Sequence, residues 1–222
     1  MNNVQPVFSD AKWTELLFVP LLDNCRHIGD FGAGPLGAPW WDKTSAHIDA
    51  FDLNFTPQNQ REHVSFHQLD LTVLYTLPKF AHRYDLIVAD HIFEHVASPV
   101  DLAKSVAHAL KSDGLLHVGI PDATNFTDRF YRLIHPDGGG HIAQFTKESF
   151  LDLITPFGFD VLHIRTWADD WLWFEKLYSL KAYKVSHLTS EEKSWLADVF
   201  RKELTPERGY IYGWEFLLKK TR

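Results

Sequence analysis

The chain has 222 residues, of which 45% are hydrophobic and 14% aromatic, a composition typical of a single folded domain with a full core. Its formal net charge of −7 argues against nucleic acid as the main partner, because nucleic-acid-binding proteins neutralise phosphates with basic side chains. The single cysteine, Cys25, excludes an internal disulfide. Residues 1–22 lack the basic start and long apolar run of a signal peptide, so we expect a cytoplasmic protein without a membrane span.

Strand-like and helix-like segments alternate along the chain. Helices are predicted near residues 13–20, 38–45, 56–63, 99–110, 126–134 and 147–157 and within 168–204. Seven strands are predicted over residues 26–31, 47–53, 64–71, 84–90, 115–121, 159–167 and 210–220. This spacing favours an α/β fold with a parallel sheet covered by helices.

A glycine-rich turn, HIGDFGAGPLG over residues 27–37, follows the first predicted strand. Glycine lets the main chain approach a ligand closely, and such a turn at the carboxyl end of a parallel strand is typical of a nucleotide site. Asp52 ends the next strand. A nicotinamide enzyme would place an acid about 20 residues after the glycines, so this spacing alone leaves a nicotinamide-dependent oxidoreductase open.

Several further segments together carry a family resemblance: DFGAG (30–34), AFDL (50–53), QLDL (68–71), YDLIVADHIFEHV (84–96), DGLLHVGIP (113–121) and GHIAQFTKESFLDLITPFGFDV (140–161). In this order they resemble the class I S-adenosylmethionine-dependent methyltransferases. Within that class they are most similar to the ubiquinone-biosynthesis O-methyltransferase branch, a type 11 methyltransferase domain. The resemblance covers residues 26–166. It implies a seven-stranded Rossmann-like sheet, mostly parallel with an antiparallel last strand, with helices on both faces.

The resemblance also implies a set of cofactor-binding residues: Asp30, Gly32, Ala33, Gly34, Asp52, Leu53, Asp70, Leu71, Asp90 and His91. Asp30, Gly32 and Gly34 would hold the methionine portion, and Asp52 the ribose hydroxyls. Asp70 and Leu71 would meet the adenine, and Asp90 and His91 would border the sulfonium. We expect Asp30, Asp52 and Asp70 to converge on one cleft. The chain departs from the family in having Leu36 where glycine is usual, with Gly37 one step late.

His91, Glu94 and His95 form an H-x-x-E-H cluster that could hold a metal ion, since imidazole and carboxylate are common ligands. The ubiquinone branch has E-x-x-E-H here, associated with a divalent ion, and the histidine at position 91 makes magnesium a less natural choice. The same spacing occurs in inverted zinc peptidases, which would leave the glycine turn unexplained. A purely structural pairing of Glu94 with His95 is the third interpretation. The sequence leaves the metal open.

Three histidines are candidates for a general base: His95, His91 and His141. Our hypothesis is that His95 or His141 removes the proton of a hydroxyl acceptor. The loop HPDGGGH, residues 135–141, is interpreted as a hinged lid, with a plain surface turn as the alternative. Segments at about 122–145 and 168–205 are expected to be helical insertions that cover the acceptor site of one domain, residues 1–222.

The sequence therefore predicts an S-adenosylmethionine-dependent methyltransferase acting on a small molecule or a sugar or glycan acceptor, with oxygen favoured over nitrogen. Two alternatives stay open: a nicotinamide-dependent oxidoreductase and a non-catalytic cofactor-binding module of the same fold. An RNA methyltransferase is disfavoured by the net charge of −7. A homodimer is compatible with the sequence.

Overall fold

The computed structural model describes residues 7–8, 17–54, 61–135, 137–169, 188–195 and 210–221. Their strands are β1 Val7–Phe8, β2 His27–Phe31, β3 His47–Asp52, β4 Val64–Gln68, β5 Tyr84–Asp90, β6 Leu110–Pro121, β7 Phe159–Asp169 and β8 Tyr210–Lys220. The α-helices are α1 Pro99–Ala109, α2 Phe126–Ile134 and α3 Lys147–Ile154. Short 3₁₀ helices span Val19–Asn24, Pro39–Lys43, Leu71–Thr76, Pro78–Phe80, Phe93–His95, Gly138–Gly140 and Thr155–Phe157.

All of these strands belong to one sheet, in the order β1-β7-β8-β6-β5-β2-β3-β4. Neighbouring strands run parallel except at β8, which is antiparallel to both β6 and β7. The predicted seven-stranded, mostly parallel sheet with an antiparallel last strand is confirmed, and the two-residue strand β1 extends its β7 edge. Because β2, β3, β4 and β5 are adjacent and parallel, their carboxyl ends meet at one edge.

Two hydrophobic cores lie on opposite faces of the sheet, because successive strand residues point to opposite faces. In β5, Ile87 and Ala89 join the core that packs against α1 and α3, whereas Leu86 and Val88 join the other core. That second core is closed by the short helices Val19–Asn24 and Pro39–Lys43. Helical elements therefore cover both faces, as predicted.

Capping residues mark the ends of the helices predicted near 99–110 and 147–157. Ser98 caps α1 by accepting from the Asp101 N–H, Thr146 and Ser149 form a capping box at α3, and Gly158, with φ of +84°, ends the turn after α3. Thr189 and Glu192 are paired in the same way as a capping box, because each main-chain N–H donates to the other side chain.

Two predicted elements differ from the structure. Residues 38–45 form only the short 3₁₀ helix Pro39–Lys43, in which Trp40 and Trp41 are both fully buried. The strand predicted over 115–121 begins at Leu110, directly after α1. The predicted helices near 13–20 and 56–63 and the insertion at 168–205 lie mainly outside the described residues. No helix in the described ranges combines the length and apolar character that a membrane span requires.

Candidate active site

A cavity of about 300 Å³ opens at the edge where β2, β3, β4 and β5 end. Each strand contributes a lining residue just after or at its carboxyl end: Gly32, Asp52, Asp70 and His91. Leu53, Leu71 and His95 also line it, as predicted for the site, together with four residues that the sequence did not single out, Asn54, Leu69, Ile92 and Val96. This edge of a parallel sheet is where open α/β folds bind ligands.

The glycine-rich turn is anchored to the end of β3. The N–H groups of Gly32 and Ala33 donate to the Phe51 carbonyl oxygen at 2.9 and 3.0 Å. Gly32 has φ of +83°, and a Cβ at this position would come within 3.1 Å of the Ile92 side chain. Both the backbone conformation and the packing therefore call for glycine where the main chain borders the cavity.

Asp52 links the turn to β3 through both carboxylate oxygens. Its Oδ2 accepts from the Gly34 N–H at 3.1 Å and its Oδ1 accepts from the Asn54 N–H at 2.9 Å. Since a carboxylate offers about four lone-pair sites, Asp52 can still accept hydrogen bonds from a ligand in the cavity. Ala33 and Gly34 follow Gly32 in the turn but do not line the cavity.

Asp70 lies across the cavity and caps the short helix Leu71–Thr76. Its Oδ1 accepts from the Thr72 N–H at 2.9 Å and from the Thr72 hydroxyl at 2.7 Å, so its Oδ2 is not needed for the cap. Leu71, the next residue, is buried, whereas Leu53, which also lines the cavity, is 57% exposed. Asp52 and Asp70 therefore come together as predicted.

Asp30 does not join them. Asp30 is only 5% exposed and does not line the cavity, and its Oδ2 accepts from the Trp41 indole Nε1–H at 2.7 Å. Gly37 makes room for this arrangement, because a Cβ at Gly37 would overlap the Trp41 ring. The expected convergence of three carboxylates is thus reduced to two, and the packing of Trp41 accounts for the glycine at position 37. Asp90, at the end of β5, likewise does not line the cavity.

The buried Asp30 carboxyl predicts a pH dependence of stability. Burial raises the pKa of the Asp30 carboxyl to about 7. The hydrogen bond from Trp41 lowers this pKa in part, and the nearby negative charge of Asp90 raises it slightly. Because the pKa of Asp30 is higher in the folded chain than in the unfolded chain, its protonation stabilises the fold. This contribution to the free energy of unfolding is complete below the ordinary pKa of 3.8 and is lost as the pH rises through about 7. Asp30→Asn cannot ionise, yet its amide oxygen can accept from Trp41.

We therefore expect the free energy of unfolding of Asp30→Asn to gain on that of the wild-type chain between about pH 5 and about pH 8. Urea denaturation at both pH values measures this difference. The exposed Asp23→Asn serves as the control and should follow the wild type at both. Parallel pH dependence in wild type and Asp30→Asn would contradict an ionising Asp30.

His91 follows β5 in a conformation that few residues adopt, with φ of +56°. Its main-chain N–H donates to the Gly119 carbonyl oxygen, and its Nδ1 lies 2.8 Å from Oε1 of Glu94. Glu94 is only 1% exposed. Since a carboxylate accepts, Nδ1 carries the hydrogen of this contact, and His91 and Glu94 form a hydrogen-bonded pair at the cavity wall.

His95 and His141 lie side by side, with ring centroids 4.9 Å apart, but only His95 lines the cavity. Nδ1 of His95 lies 3.0 Å from the Gly140 carbonyl oxygen. Nδ1 of the buried His141 lies 2.7 Å from Oδ1 of Asp128 in α2. The triple-glycine loop is therefore tied to the end of β5, and the Ala143 N–H donates to the Glu94 carbonyl oxygen as a further tie.

The structure changes the candidate metal set. Among the described residues, the group whose ligand atoms lie close together is Glu94, His95 and His141, rather than the predicted His91, Glu94 and His95. His91 instead bonds to Glu94 through Nδ1. Helical spacing suggested the predicted set, but Phe93–His95 is a single 3₁₀ turn and His141 arrives from a distant loop.

Sequence reasoning missed Asp128, which is 2% exposed and bonds to His141 and to Arg132. The signal available was an acid four residues before an arginine on a predicted helix, which usually marks a solvated pair. Tyr131, on the same helix, stacks on His141 with ring centroids 4.8 Å apart.

The packing of Tyr131 predicts an unequal effect of two glycine substitutions. Gly138 and Gly139 have φ of +66° and +67°, but a Cβ at Gly139 would overlap the Tyr131 ring, whereas a Cβ at Gly138 meets nothing within 4 Å. We expect Gly138→Ala to lower the free energy of unfolding by ~1 kcal/mol through backbone strain alone. Gly139→Ala should cost about 1–3 kcal/mol more, because Tyr131 must move.

Urea denaturation of both variants measures this difference, and Gly138→Ala is its internal control. Equal losses in the two variants would show that Tyr131 does not pack on this loop in solution.

Comparison with known proteins agrees with this geometry. Residues 22–164 match the model of a family described as a methyltransferase domain, and the chain belongs to that family. The prediction of a methyltransferase is thereby confirmed. A search of curated protein sequences gives no match.

Solved structures share the fold at low sequence identity. An S-adenosylmethionine-dependent methyltransferase from Archaeoglobus fulgidus is 18% identical, with a TM-score of 0.60 and coverage of 91% of this chain and 90% of that one. The 1,6-didemethyltoxoflavin-N1-methyltransferase of Burkholderia thailandensis is 13% identical, with a TM-score of 0.57 and coverage of 93% and 75%. The phosphoethanolamine N-methyltransferase 2 of Haemonchus contortus is 12% identical, with a TM-score of 0.56 and coverage of 89% and 49%.

The predicted methyl donor, S-adenosylmethionine, agrees with the family and with the fold of these neighbours. The finer assignment to the ubiquinone-biosynthesis branch stays a prediction.

Proposed function

We propose that this methyltransferase transfers the methyl group of S-adenosylmethionine to a hydroxyl oxygen of a small-molecule or sugar or glycan acceptor. The observation that carries the proposal is the meeting of Asp52, Asp70 and the glycine turn around one cavity, with His91 at its wall. The acids suit the polar groups of an adenosine, and the histidine suits a proton acceptor.

The residues present fit the cofactor. Asp52 has lone pairs left for the two ribose hydroxyls, a paired contact that a carboxylate makes well. Oδ2 of Asp70 is available to accept from the adenine amino group, and Leu71 and Leu53 supply apolar walls for the ring. Gly32 brings the main chain to the edge of the cavity, where a close main-chain approach to the methionine portion is expected. Asp30 supports the turn from behind and makes no contact with the cofactor in this arrangement.

His91 is our choice of general base among the three candidates. A hydroxyl is a poor nucleophile until its proton is being removed, and histidine is the side chain that most often serves as a general base. His91 lines the cavity beside the end of β5, and its Nδ1–H is held by Glu94, so Nε2 is the atom that takes the proton. His141 lies behind His95 and does not reach the cavity wall.

Two measurements test the proposal. Calorimetry with S-adenosylhomocysteine and, separately, with NAD identifies the cofactor class, and we expect binding of the first alone. Incubation with S-adenosylmethionine and a panel of hydroxylated acceptors, including phenols and sugars, should then give products heavier by one methyl group. Binding of NAD but not of S-adenosylhomocysteine would favour the oxidoreductase, and cofactor binding with no methylated product would favour a non-catalytic module.

A further inference from the structure

Three potential metal ligands converge beside the cavity. Glu94 and His95 come from the short helix Phe93–His95 that follows β5, and His141 comes from the loop after α2. One ligand atom from each lies within 4.8 Å of the other two. The two parts of the chain that meet here are about 45 residues apart and are held together by the hydrogen bond between His95 and Gly140.

The Glu94 carboxylate has an unused, buried oxygen. Oε1 accepts from Nδ1 of His91, but Oε2 is buried without a hydrogen-bond partner among the described residues. Leaving a buried acceptor unsatisfied costs about 1–3 kcal/mol, and more when the group is charged. Native structures keep such groups mainly where a ligand, water or ion completes them.

Both histidines are held in the tautomer that a metal requires. Each uses Nδ1 to bond an oxygen: His95 bonds the Gly140 carbonyl and His141 bonds the Asp128 carboxylate. Because these oxygens accept, each Nδ1 carries the hydrogen, and each Nε2 of the neutral ring presents a lone pair. An imidazole oriented through its other nitrogen by a carboxylate or a carbonyl is typical of metal-ligating histidine.

We propose that Glu94, His95 and His141 form a site for a divalent transition metal of the Zn²⁺ class. Two imidazoles and one carboxylate are a donor set that such ions prefer, whereas Mg²⁺ favours oxygen ligands and water. Asp128 and Gly140 orient the two histidines, and His91 orients the glutamate. Nε2 of His95 lies 4.0 Å from Oε1 of Glu94, and an ion bound to this carboxylate also gives its buried oxygen Oε2 a partner.

This site borders the cavity proposed to hold the cofactor, because His95 also lines that cavity. Three protein ligands leave an open coordination position, as in catalytic zinc sites, where an acceptor oxygen can bind and its proton becomes easier to remove. This role rests on the proposed function, with His91 as the base that takes the proton. Metal binding itself does not depend on that function.

Direct binding of Zn²⁺ to the chelator-treated chain tests the site. We expect calorimetry to give one ion per chain with micromolar or tighter affinity, and Co²⁺ to give visible absorption bands in its place. His141→Ala should weaken Zn²⁺ binding by at least roughly 100-fold, and Asp128→Asn by roughly 10- to 100-fold, since loss of an orienting group typically has that effect. The exposed His163→Ala, a matched control on β7, should bind as the wild type does.

A comparison with His91→Ala identifies the ligands. If His141→Ala loses more affinity than His91→Ala, the proposed set is supported, and the reverse order overturns it in favour of H-x-x-E-H. Circular dichroism of each variant confirms that it is folded. Absence of stoichiometric Zn²⁺ binding to the wild-type chain also overturns the inference. Calorimetry of the metal-free chain with S-adenosylhomocysteine separates the two proposals, because retained cofactor binding without Zn²⁺ binding leaves the proposed function standing.

Discussion

Asp52→Ala is expected to weaken the binding of S-adenosylhomocysteine by roughly 100-fold. A hydrogen bond to a charged group contributes about 1.5–3 kcal/mol, and the carboxylate is proposed to accept from both ribose hydroxyls. Losing about 3 kcal/mol lowers the affinity by about two factors of ten. The variant also removes the acceptor for the Gly34 N–H, so the glycine turn loses its tie to β3. Isothermal titration calorimetry measures the change.

The exposed Asp23→Ala is the matched control, since it removes the same negative charge from a residue outside the cavity. Asp52→Asn is a second, milder variant that retains one accepting oxygen, and we expect an intermediate loss of about 10-fold. If folded Asp52→Ala binds S-adenosylhomocysteine as tightly as Asp23→Ala does, the adenosine does not lie against Asp52. The cofactor assignment to this cavity would then be wrong.

His91→Asn is expected to lower the turnover number by about 10²- to 10⁴-fold on an acceptor found in the screen, the range typical of a lost general base. Asparagine is chosen because it tolerates the positive φ of position 91 better than most residues do. The substitution therefore removes the proton acceptor with little backbone strain. Steady-state kinetics at saturating acceptor and cofactor measure the effect.

His163→Asn, on the exposed surface of β7, is the control and should turn over normally. Binding of S-adenosylhomocysteine to His91→Asn should stay within a few-fold of wild type, because the proposed role concerns the acceptor proton. Near-normal turnover in His91→Asn would return the assignment to His95, the other candidate histidine at the cavity wall.

Much of the fold could be predicted because its signals are local. The strand over residues 84–90 and the helix near 99–110 could be predicted because the residues of each segment alone carry its pattern. Asp52 and Asp70 were predictable for the same reason, since each stands at or just after the end of a strand and parallel strands end at one edge.

The remaining features depend on distant contacts. Asp30 follows the motif, but its side chain points to the face that holds Trp41, and only the packing of Pro39–Lys43 decides this. The pairing of His141 with Asp128 and its approach to Glu94 likewise join α2, its following loop and the end of β5. The sequence pattern gives no sign that His141 comes near Glu94, so the predicted metal ligands were residues close together in the chain.

The hydrogen bonds that hold the triple-glycine loop affect which changes to the chain could alter its preference among acceptors. Movement of this segment away from the end of β5 would break three hydrogen bonds at once. They join His95 to Gly140, His141 to Asp128, and Ala143 to Glu94. These hydrogen bonds hold the segment in place against the end of β5. Engineering toward a new acceptor therefore calls for resizing side chains that line the cavity, such as Val96, rather than for lengthening this loop.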